Sequence, residues 1–423
     1  MMSTDNNNKL LSNFIALGVV QGTNFLVPLL VMPYVISKIG AAGFGVIAIA
    51  QVLMIYLSAI CDYGFNLTAT RDIAIYKDDY LKISKIFFSV IATKLLITTF
   101  LLTLLLACFA FIPVSRAHSI LYGLGFTYVI GQSLLVSWFF QGKEKMNYIT
   151  ISTLIARLIF VILVMAFIHR KEDGIYFLFF LGTGNIVAGL FSIYLAIRIY
   201  KLKFLGLEWA DIKYELKEGW HVTISNLSIN TFMYSGVFIL RIFTNDTIVG
   251  YYSIAERIFF AARQVLSVFS QVIYPQVCQL SHKSEKTSNA FFKNIYLPFL
   301  LLAFAGCTLL FILSPQVIHL FIKHAPFLPV LLLRMLSFVP FIVCLNIPAY
   351  QLLLAFDYKK SYLPVFITAT VINIAANFLL AKNFGATGTA LSIIITELFI
   401  TAALNQQLYK NNLAGYLING SDE

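Results

Sequence analysis

The chain has 423 residues, of which 59% are hydrophobic and only 12% are charged. Soluble domains carry roughly 25% charged residues, so this composition excludes an ordinary soluble protein. The net charge of +11 does not indicate nucleic-acid binding, because basic residues of membrane proteins collect in cytoplasmic loops. The five cysteines form no CxxC pair and the six histidines have no metal spacing, so we predict neither a metal site nor a cofactor.

Apolar runs of about 20 residues recur along the chain, each long enough to cross the hydrocarbon core as a helix. We therefore predict an all-α polytopic membrane protein with about twelve transmembrane helices. In chain order, the predicted spans are 11–37, 42–70, 83–112, 117–141, 147–168, 175–199, 218–242, 247–279, 291–313, 327–355, 361–381 and 388–409.

The distribution of Lys and Arg predicts the orientation of these spans. An even number of spans places both termini on one side of the membrane. Eighteen basic residues fall in loops on that side and seven in loops on the other side. The positive-inside rule then predicts cytoplasmic N- and C-termini.

Weak internal similarity predicts two related halves. The segment GFGVIAIAQ, which begins at Gly43, aligns with IVGYYSIAE, which begins at Ile248, at an offset of 205 residues. Six spans in each half give both halves the same orientation, which is typical of parallel repeats with a binding site between them. We predict an N-terminal six-helix lobe at 1–203, an interfacial linker at 204–217 and a C-terminal six-helix lobe at 218–423 around a central cavity.

Cations inside the spans are the main candidates for substrate binding. A cation at the bilayer centre costs roughly 2.5–3.5 kcal/mol, so it is expected to face water or to pair with an acid. Cations that converge from both halves would suit an anion, above all a phosphate. A salt bridge is the alternative for each of them. The five embedded cations are Lys94, Arg157, Arg257, Arg263 and Arg334.

Polar residues on predicted span 8 form a stripe. Glu256, Arg263, Ser267, Gln271 and Tyr274 fall within about 80° of one another on a helix, over about 27 Å of rise. We expect this face to line a wet cavity, with Arg263 and Gln271 binding substrate. Hydrogen bonding between packed helices is the alternative.

Predicted spans 1 and 7 carry further polar residues at related positions. Gln21 aligns with Asn226 at the same offset of 205, and Asn24 lies one turn after Gln21. We predict that these three side chains face the cleft and bind substrate, with polar packing between neighbouring helices as the alternative.

Three acids inside the spans are candidates for ion coupling: Asp62, Glu256 and Glu397. Asp62, Asn66 and Thr70 follow helical spacing, so we expect one face of span 2 to hold them. Protonation of such an acid would change the charge of a cavity. A structural ion pair or a helix cap is the alternative role for Asp62.

Three motifs extend the pattern. They are GVVQGTNFLVPLLVMPYV from Gly18, DYGFNLTATRDIA from Asp62 and WFFQGKEKMNY from Trp138. Together with twelve spans in two parallel halves, they resemble the Wzx-type O-antigen flippases. These are the polysaccharide transporter family of the multidrug/oligosaccharidyl-lipid/polysaccharide exporter superfamily.

The resemblance implies the function and the partners. Such a flippase moves undecaprenyl-pyrophosphate-linked oligosaccharide units from the cytoplasmic to the periplasmic leaflet of the bacterial inner membrane, by alternating access. It implies protons or sodium as the coupling ion, membrane lipids as surroundings, and a polysaccharide polymerase and a chain-length regulator as partners. An ion gradient rather than ATP agrees with the absence of a GxxxxGK[ST] sequence.

Three other functions compete with this interpretation. A multidrug exporter of the same superfamily would favour acids over cations in its spans. A polysaccharide polymerase, which would be an enzyme, would need a long outer loop, yet the longest predicted outer loop is 314–326. A structural role would leave the embedded charges unexplained. We therefore expect a transporter and not an enzyme.

Overall fold

The computed structural model describes residues 4–111, 118–280 and 285–417. In these ranges the secondary structure is helical, with no β-strand. The prediction of an all-α membrane protein is thus confirmed. The chain divides into two compact units, unit 1 (Met1–Tyr234) and unit 2 (Ser235–Glu423).

Unit 1 is built from seven complete helices and most of an eighth. They are α1 (Thr4–Asp62), α2 (Thr68–Ile75), α3 (Tyr80–Phe111), α4 (Ser119–Leu134), α5 (Ser137–Gly142), α6 (Met146–Phe167), α7 (Phe177–Tyr200) and α8 (Trp209–Phe243). A 3₁₀ turn, Lys171–Tyr176, precedes α7. Helix α8 belongs to unit 1 as far as Tyr234, and its last residues belong to unit 2.

Unit 2 contains the remaining helices. They are α9 (Asp246–Leu280), α10 (Glu285–Phe291), α11 (Leu297–Ile312), α12 (Ser314–Phe321), α13 (Phe327–Ser337), α14 (Val339–Ala355), α15 (Lys359–Phe384) and α16 (Ala386–Lys410). A π-helical turn, Phe292–Tyr296, joins α10 to α11. The predicted outer loop at 314–326 therefore contains a short helix, α12.

Nine helical segments in the described part of the chain are long and apolar enough to cross a membrane. One of them, Gly22–Asp62, covers parts of two predicted spans. The predicted spans 218–242 and 247–279 coincide with α8 and α9, which are not among the nine. Most helices therefore lie where the sequence predicted them, and the total of twelve crossings stays a prediction.

Glycines mark two breaks near the predicted second span. At Gly40, φ is 74° and ψ is 170°, which interrupts α1 between the first two predicted spans. Helix α1 then ends at Asp62, because Tyr63 and Gly64 both have positive φ. The expectation of one continuous helix over 42–70, with Asp62, Asn66 and Thr70 on one face, is therefore wrong. A left-handed turn stops the helix after Asp62.

An aromatic cluster joins two of the sequence motifs. Phe65 of the DYGF motif and Trp138 and Phe139 of the WFFQG motif are all buried in one core with Phe87 of α3. The Phe87 ring lies 5.1 Å from the Phe139 ring in an edge-to-face arrangement. Both motifs therefore stabilise the same end of unit 1, since aromatic pairs add to the free energy of burial.

The first turns of α8 dock on α2 and α3. Two ion pairs hold this contact, Lys85–Asp211 at 2.9 Å and Arg71–Glu218 at 3.2 Å. A Cβ atom on Gly64 would lie 2.6 Å from the Cβ of Val222, so only glycine allows this approach. The α8 helix runs without a break from Trp209 into the predicted span at 218–242, and the predicted bounds of the lobes and the linker stay predictions.

Candidate functional site

The first embedded charge pair lies in unit 1. Lys94 Nζ on α3 donates to Asp62 Oδ1, the last residue of α1, at 2.9 Å. The lysine side chain is 2% exposed and the aspartate side chain is 31% exposed. Asn66 Nδ2 also approaches Asp62 Oδ2, at 3.5 Å. In this pair, therefore, the cation is buried and the carboxylate is partly exposed.

A second group in unit 1, which we call the Arg157 site, consists of Asn24, Tyr128, Gln132 and Arg157. Arg157 on α6 donates from Nε and Nη2 to Asn24 Oδ1 on α1, at 3.2 and 2.8 Å. Gln132 Nε2 donates to the Tyr128 hydroxyl on the neighbouring α4, at 3.2 Å. In the described part of the chain, Arg157 forms no ion pair with a carboxylate. Its partner is a neutral amide.

Close packing fixes the backbone that carries Arg157. Gly184 of α7 lies against the carbonyl of Ala156, and a Cβ atom there would be 2.3 Å from the Ala156 oxygen. Helices α6 and α7 therefore approach each other as closely as their backbones allow. The guanidinium is partly buried beside this contact, and the Tyr128 phenol interacts electrostatically with both Arg157 and Asp62.

Unit 2 contains its own embedded ion pair. Arg263 Nη1 on α9 lies 2.7 Å from Glu397 Oε1 on α16. The glutamate side chain is 1% exposed and the arginine side chain is 28% exposed. Asn373 Nδ2 donates to Thr396 Oγ1 at 3.1 Å in the same region between α15 and α16. In this pair, in contrast, the carboxylate is buried and the cation is partly exposed.

Arg334 on α13 has neutral partners. Its Nε donates to Ser314 Oγ at the start of α12, at 3.1 Å, and its guanidinium lies 5.5 Å from the centre of the Phe311 ring. No ion pair of Arg334 occurs among the described residues. Arg334 resembles Arg157 in this respect, although its partners were not predicted from the sequence.

Glu256 and Arg257 lie on the first half of α9. Glu256 is buried and hydrogen-bonds Tyr252, one turn earlier on the same helix. Arg257 is partly buried and interacts electrostatically with Glu256. The predicted polar stripe is therefore not exposed along its whole length, since its first member is in the interior of unit 2.

Three further predicted residues lie apart from these groups. Gln271 is exposed, and its Nε2 donates to Ser267 Oγ at 3.2 Å. Asn226 on α8 is partly exposed, and its carbonyl accepts from Asn230 Nδ2 at 2.9 Å. The side chain of Gln21 lies outside the described residues. The substrate-binding and ion-coupling roles of all the predicted residues stay predictions.

The structure brings several predicted residues together in pairs: Asn24 with Arg157, Lys94 with Asp62, and Arg263 with Glu397. It also adds residues that were not predicted: Tyr128 near Arg157, Gln132 bonded to Tyr128, Ser314 beside Arg334, and Tyr252 beside Glu256. The spacing of Tyr128 and Gln132, one helical turn apart on a predicted span, was the available signal.

Comparison with known proteins decides the family. A family described as "Polysaccharide biosynthesis protein" matches residues 10–281, well over half of the chain. The chain belongs to this polysaccharide biosynthesis family. The resemblance found in the sequence motifs is thereby confirmed.

Two relatives support this polysaccharide biosynthesis assignment. One protein of Escherichia coli (strain K12) is 29% identical over 95% of this chain and 97% of its own length. One of Shigella dysenteriae is 27% identical over 92% of this chain and 97% of its own length. Both carry the name "Putative O-antigen transporter". Neither is named as an enzyme, which agrees with the expectation for this member of the family.

Solved structures show the fold of this family member. A multidrug resistance MATE family transporter of the MOP superfamily, in an inward-facing conformation, aligns with a TM-score of 0.69 at 13% identity over 95% of each chain. A eukaryotic MATE transporter aligns with a TM-score of 0.63 at 11% identity over 97% of each chain. Family, relatives and fold together indicate a multi-pass membrane transporter.

Proposed function

We propose that the protein is a flippase for undecaprenyl-pyrophosphate-linked O-antigen oligosaccharide units. It moves them from the cytoplasmic to the periplasmic leaflet of the bacterial inner membrane, with both termini in the cytoplasm. The polysaccharide biosynthesis family and the two relatives named for O-antigen transport support this substrate. Alternating access is the mechanism that this fold suggests.

The Arg157 guanidinium is the observation that carries the proposal. It lies within a membrane helix, and a neutral amide holds it instead of a carboxylate. An uncompensated cation in a low-dielectric region is costly, so it is kept where a function needs it. A pyrophosphate group would supply the missing negative charge, and arginine binds phosphate oxygens in pairs.

The chemistry of the substrate explains why a protein is needed. A polyprenyl pyrophosphate glycan has a charged and strongly hydrated head that cannot enter hydrocarbon unaided. The carrier must provide cations for the pyrophosphate and polar groups for the sugars, while the lipid tail stays in the bilayer. The phenol of Tyr128, which interacts electrostatically with Arg157, and the amide of Gln132, which donates to that phenol, are polar groups of the required kind.

An ion gradient would drive the cycle through the embedded acids. Of the three candidates, Asp62 is the most exposed, whereas Glu256 and Glu397 are buried. Uptake of a proton or a sodium ion at Asp62 would weaken its pair with Lys94 and change the charge of unit 1. Asp62 is therefore the first candidate for coupling, and the two glutamates follow it.

Deletion and complementation test this proposal. The deleted strain should lose surface polysaccharide and accumulate the lipid-linked precursor, and the wild-type gene should reverse both effects. An Arg157→Gln variant at normal membrane level should fail to complement, because it removes a cation that no carboxylate neutralises. The matched Arg198→Gln variant, which changes an exposed arginine at the end of α7, should complement fully. Full complementation by Arg157→Gln would refute the role of this residue.

The MATE-like fold favours a second candidate function, multidrug export, because the structural neighbours include multidrug transporters. The same strain distinguishes the two. Drug sensitivity without a polysaccharide defect would identify an exporter, and a polysaccharide defect without drug sensitivity would identify a flippase.

A further inference from the structure

The hydrogen bonds of Arg157 use one edge of its guanidinium. Asn24 Oδ1 accepts from Nε at 3.2 Å and from Nη2 at 2.8 Å, so a single oxygen bridges the two nitrogens on that edge. A guanidinium carries five N–H donors in a rigid, planar fork. The edge formed by Nη1 and Nη2 is therefore not the edge that Asn24 occupies.

The identity of the partner sets the charge that remains. A carboxylate on Arg157 would neutralise it, as Glu397 neutralises Arg263. The amide oxygen of Asn24 accepts the same kind of hydrogen bonds but adds no negative charge. The side chain of Arg157 is thus oriented and still cationic.

We propose that Asn24 is a positioning residue that holds Arg157 by one edge so that the Nη1–Nη2 edge binds two oxygens of a pyrophosphate ester. This proposal rests on the proposed function, and it names the part of the substrate that the Arg157 site recognises. Asn24 itself does not contact the anion. It lowers the conformational freedom of a long side chain before the anion arrives, which strengthens binding by preorganisation.

A charge argument separates this role from a purely structural one. Asp has nearly the same shape as Asn, and a carboxylate forms stronger hydrogen bonds with a guanidinium than an amide does. If Asn24 only stabilised α1 against α6, Asn24→Asp would keep or increase the thermal stability and leave binding unchanged. If it leaves the positive charge of Arg157 uncompensated, the same substitution would maintain stability and weaken anion binding.

The test uses the full-length purified protein in lipid nanodiscs, with undecaprenyl pyrophosphate as the probe and undecaprenol as the uncharged control lipid. Asn24→Asp should weaken binding of the pyrophosphate lipid by about tenfold or more, with an unchanged or raised Tm. Asn24→Gln, which keeps a neutral acceptor, should retain more of the affinity than Asn24→Asp. Binding of undecaprenol should not change in either variant.

The matched control is an Asn-to-Asp substitution away from the Arg157 site. Asn383→Asp adds one carboxylate at an exposed position of α15 and should bind the probe as the wild type does. If Asn24→Asp binds as tightly as the wild type, the positioning role is refuted and the proposed function stands. If Asn24→Gln and Asn24→Asp lose affinity equally, the role is structural and the proposal is also refuted. If the wild type does not distinguish the pyrophosphate lipid from undecaprenol, the proposed function itself fails.

Discussion

The ion pairs of the two units differ in which partner is exposed. In unit 1, Lys94 is hidden and Asp62 reaches the surface of the unit, whereas in unit 2 Glu397 is hidden and Arg263 reaches it. Both pairs are short, at 2.9 and 2.7 Å. In each unit, therefore, one charged side chain of the pair is buried and the oppositely charged side chain is partly exposed.

This difference shows that an embedded ion pair is not simply neutral. The buried partner requires the opposite charge beside it, because a buried charge without a counter-charge is strongly destabilising. The exposed partner can turn to water or to a ligand. Unit 1 thus offers an acid at its pair, and unit 2 offers a cation. Outside these pairs, each unit also has an arginine held by neutral groups, Arg157 in unit 1 and Arg334 in unit 2.

The largest expected effect comes from removing the exposed partner of each pair. Asp62→Asn should destabilise the protein more than Lys94→Met, because it leaves the buried lysine unpaired. In unit 2 the exposed partner is the cation. Arg263→Met should therefore destabilise the protein more than Glu397→Gln. Loss of one partner of a buried pair costs about 3–5 kcal/mol. Thermal unfolding of the four purified variants measures the order.

The double variants serve as controls for this prediction. Asp62→Asn combined with Lys94→Met, and Arg263→Met combined with Glu397→Gln, should recover part of the lost Tm because no buried charge is left alone. If Lys94→Met lowers the Tm more than Asp62→Asn does, then burial of an unpaired lysine is not the cause of the destabilisation.

Another buried acid, Glu215, extends the comparison, and it forms no ion pair among the described residues. Burial, followed by the nearby carboxylates of Asp72 and Asp211, raises the pKa of Glu215 from 4.5 to about 8. Between these values the unfolded chain holds fewer protons at this site than the folded chain. The free energy of unfolding should therefore fall as pH rises, by about 1.4 kcal/mol per pH unit.

The variant Glu215→Gln should remove this pH dependence. Its Tm should exceed that of the wild type at pH 8 and approach it near pH 4, because below 4.5 the wild-type side chain is mostly neutral in both states. Unfolding curves at the two pH values provide the measurement. The exposed Glu208→Gln on the same segment is the control. An equal gain at both pH values would point to packing instead of ionisation.

A smaller effect is expected at the turn that ends α1. Gly64→Ala places a Cβ atom 2.6 Å from Val222 and forces a positive φ on an L-residue. Overpacking of this kind costs about 1–3 kcal/mol, and it should also disturb the adjacent Asp62–Lys94 pair. The Tm of Gly64→Ala should fall, while that of Gly123→Ala, which has no neighbour within 4 Å, should not fall.

The smallest effect is expected at the docking contact of α8. Arg71 and Glu218 are both exposed where they pair, and exposed ion pairs contribute about 0–1 kcal/mol. Glu218→Gln leaves Arg71 paired with Asp72, so it should lower the free energy of unfolding by less than about 1 kcal/mol. A loss as large as that of Asp62→Asn would contradict the distinction between exposed and hidden partners.

Periodicity predicted the helices and the charges within them, but not the pairing of those charges. Lys94 and Asp62 were both recognised as embedded, because hydropathy marks a charge inside an apolar run. Their contact joins residues that are distant in sequence, as does the contact between Asn24 and Arg157, at a separation of 133 residues. Such contacts depend on helix rotation and packing, which the pattern of one helix does not contain.

The end of α1 illustrates a different limit. The apolar pattern continues past Asp62, so a helix over 42–70 was the natural prediction. The left-handed backbone at Tyr63 and Gly64 ends it early. Gly64 was the local signal for a break, yet a single glycine inside an apolar run is often tolerated within a helix. The positive φ of Gly64 and the close approach of Val222 together explain why glycine is needed there.

The chain contains three tryptophans, and their positions make the protein its own fluorescent reporter. Trp138 is enclosed by phenylalanine rings, whereas Trp209 and Trp220 are both exposed on α8, on either side of Glu215 in the sequence. Replacing Trp138 by Phe would leave emission only from the helix that docks on α2 and α3. The detachment of that helix could then be followed optically in native lipid, without an attached dye.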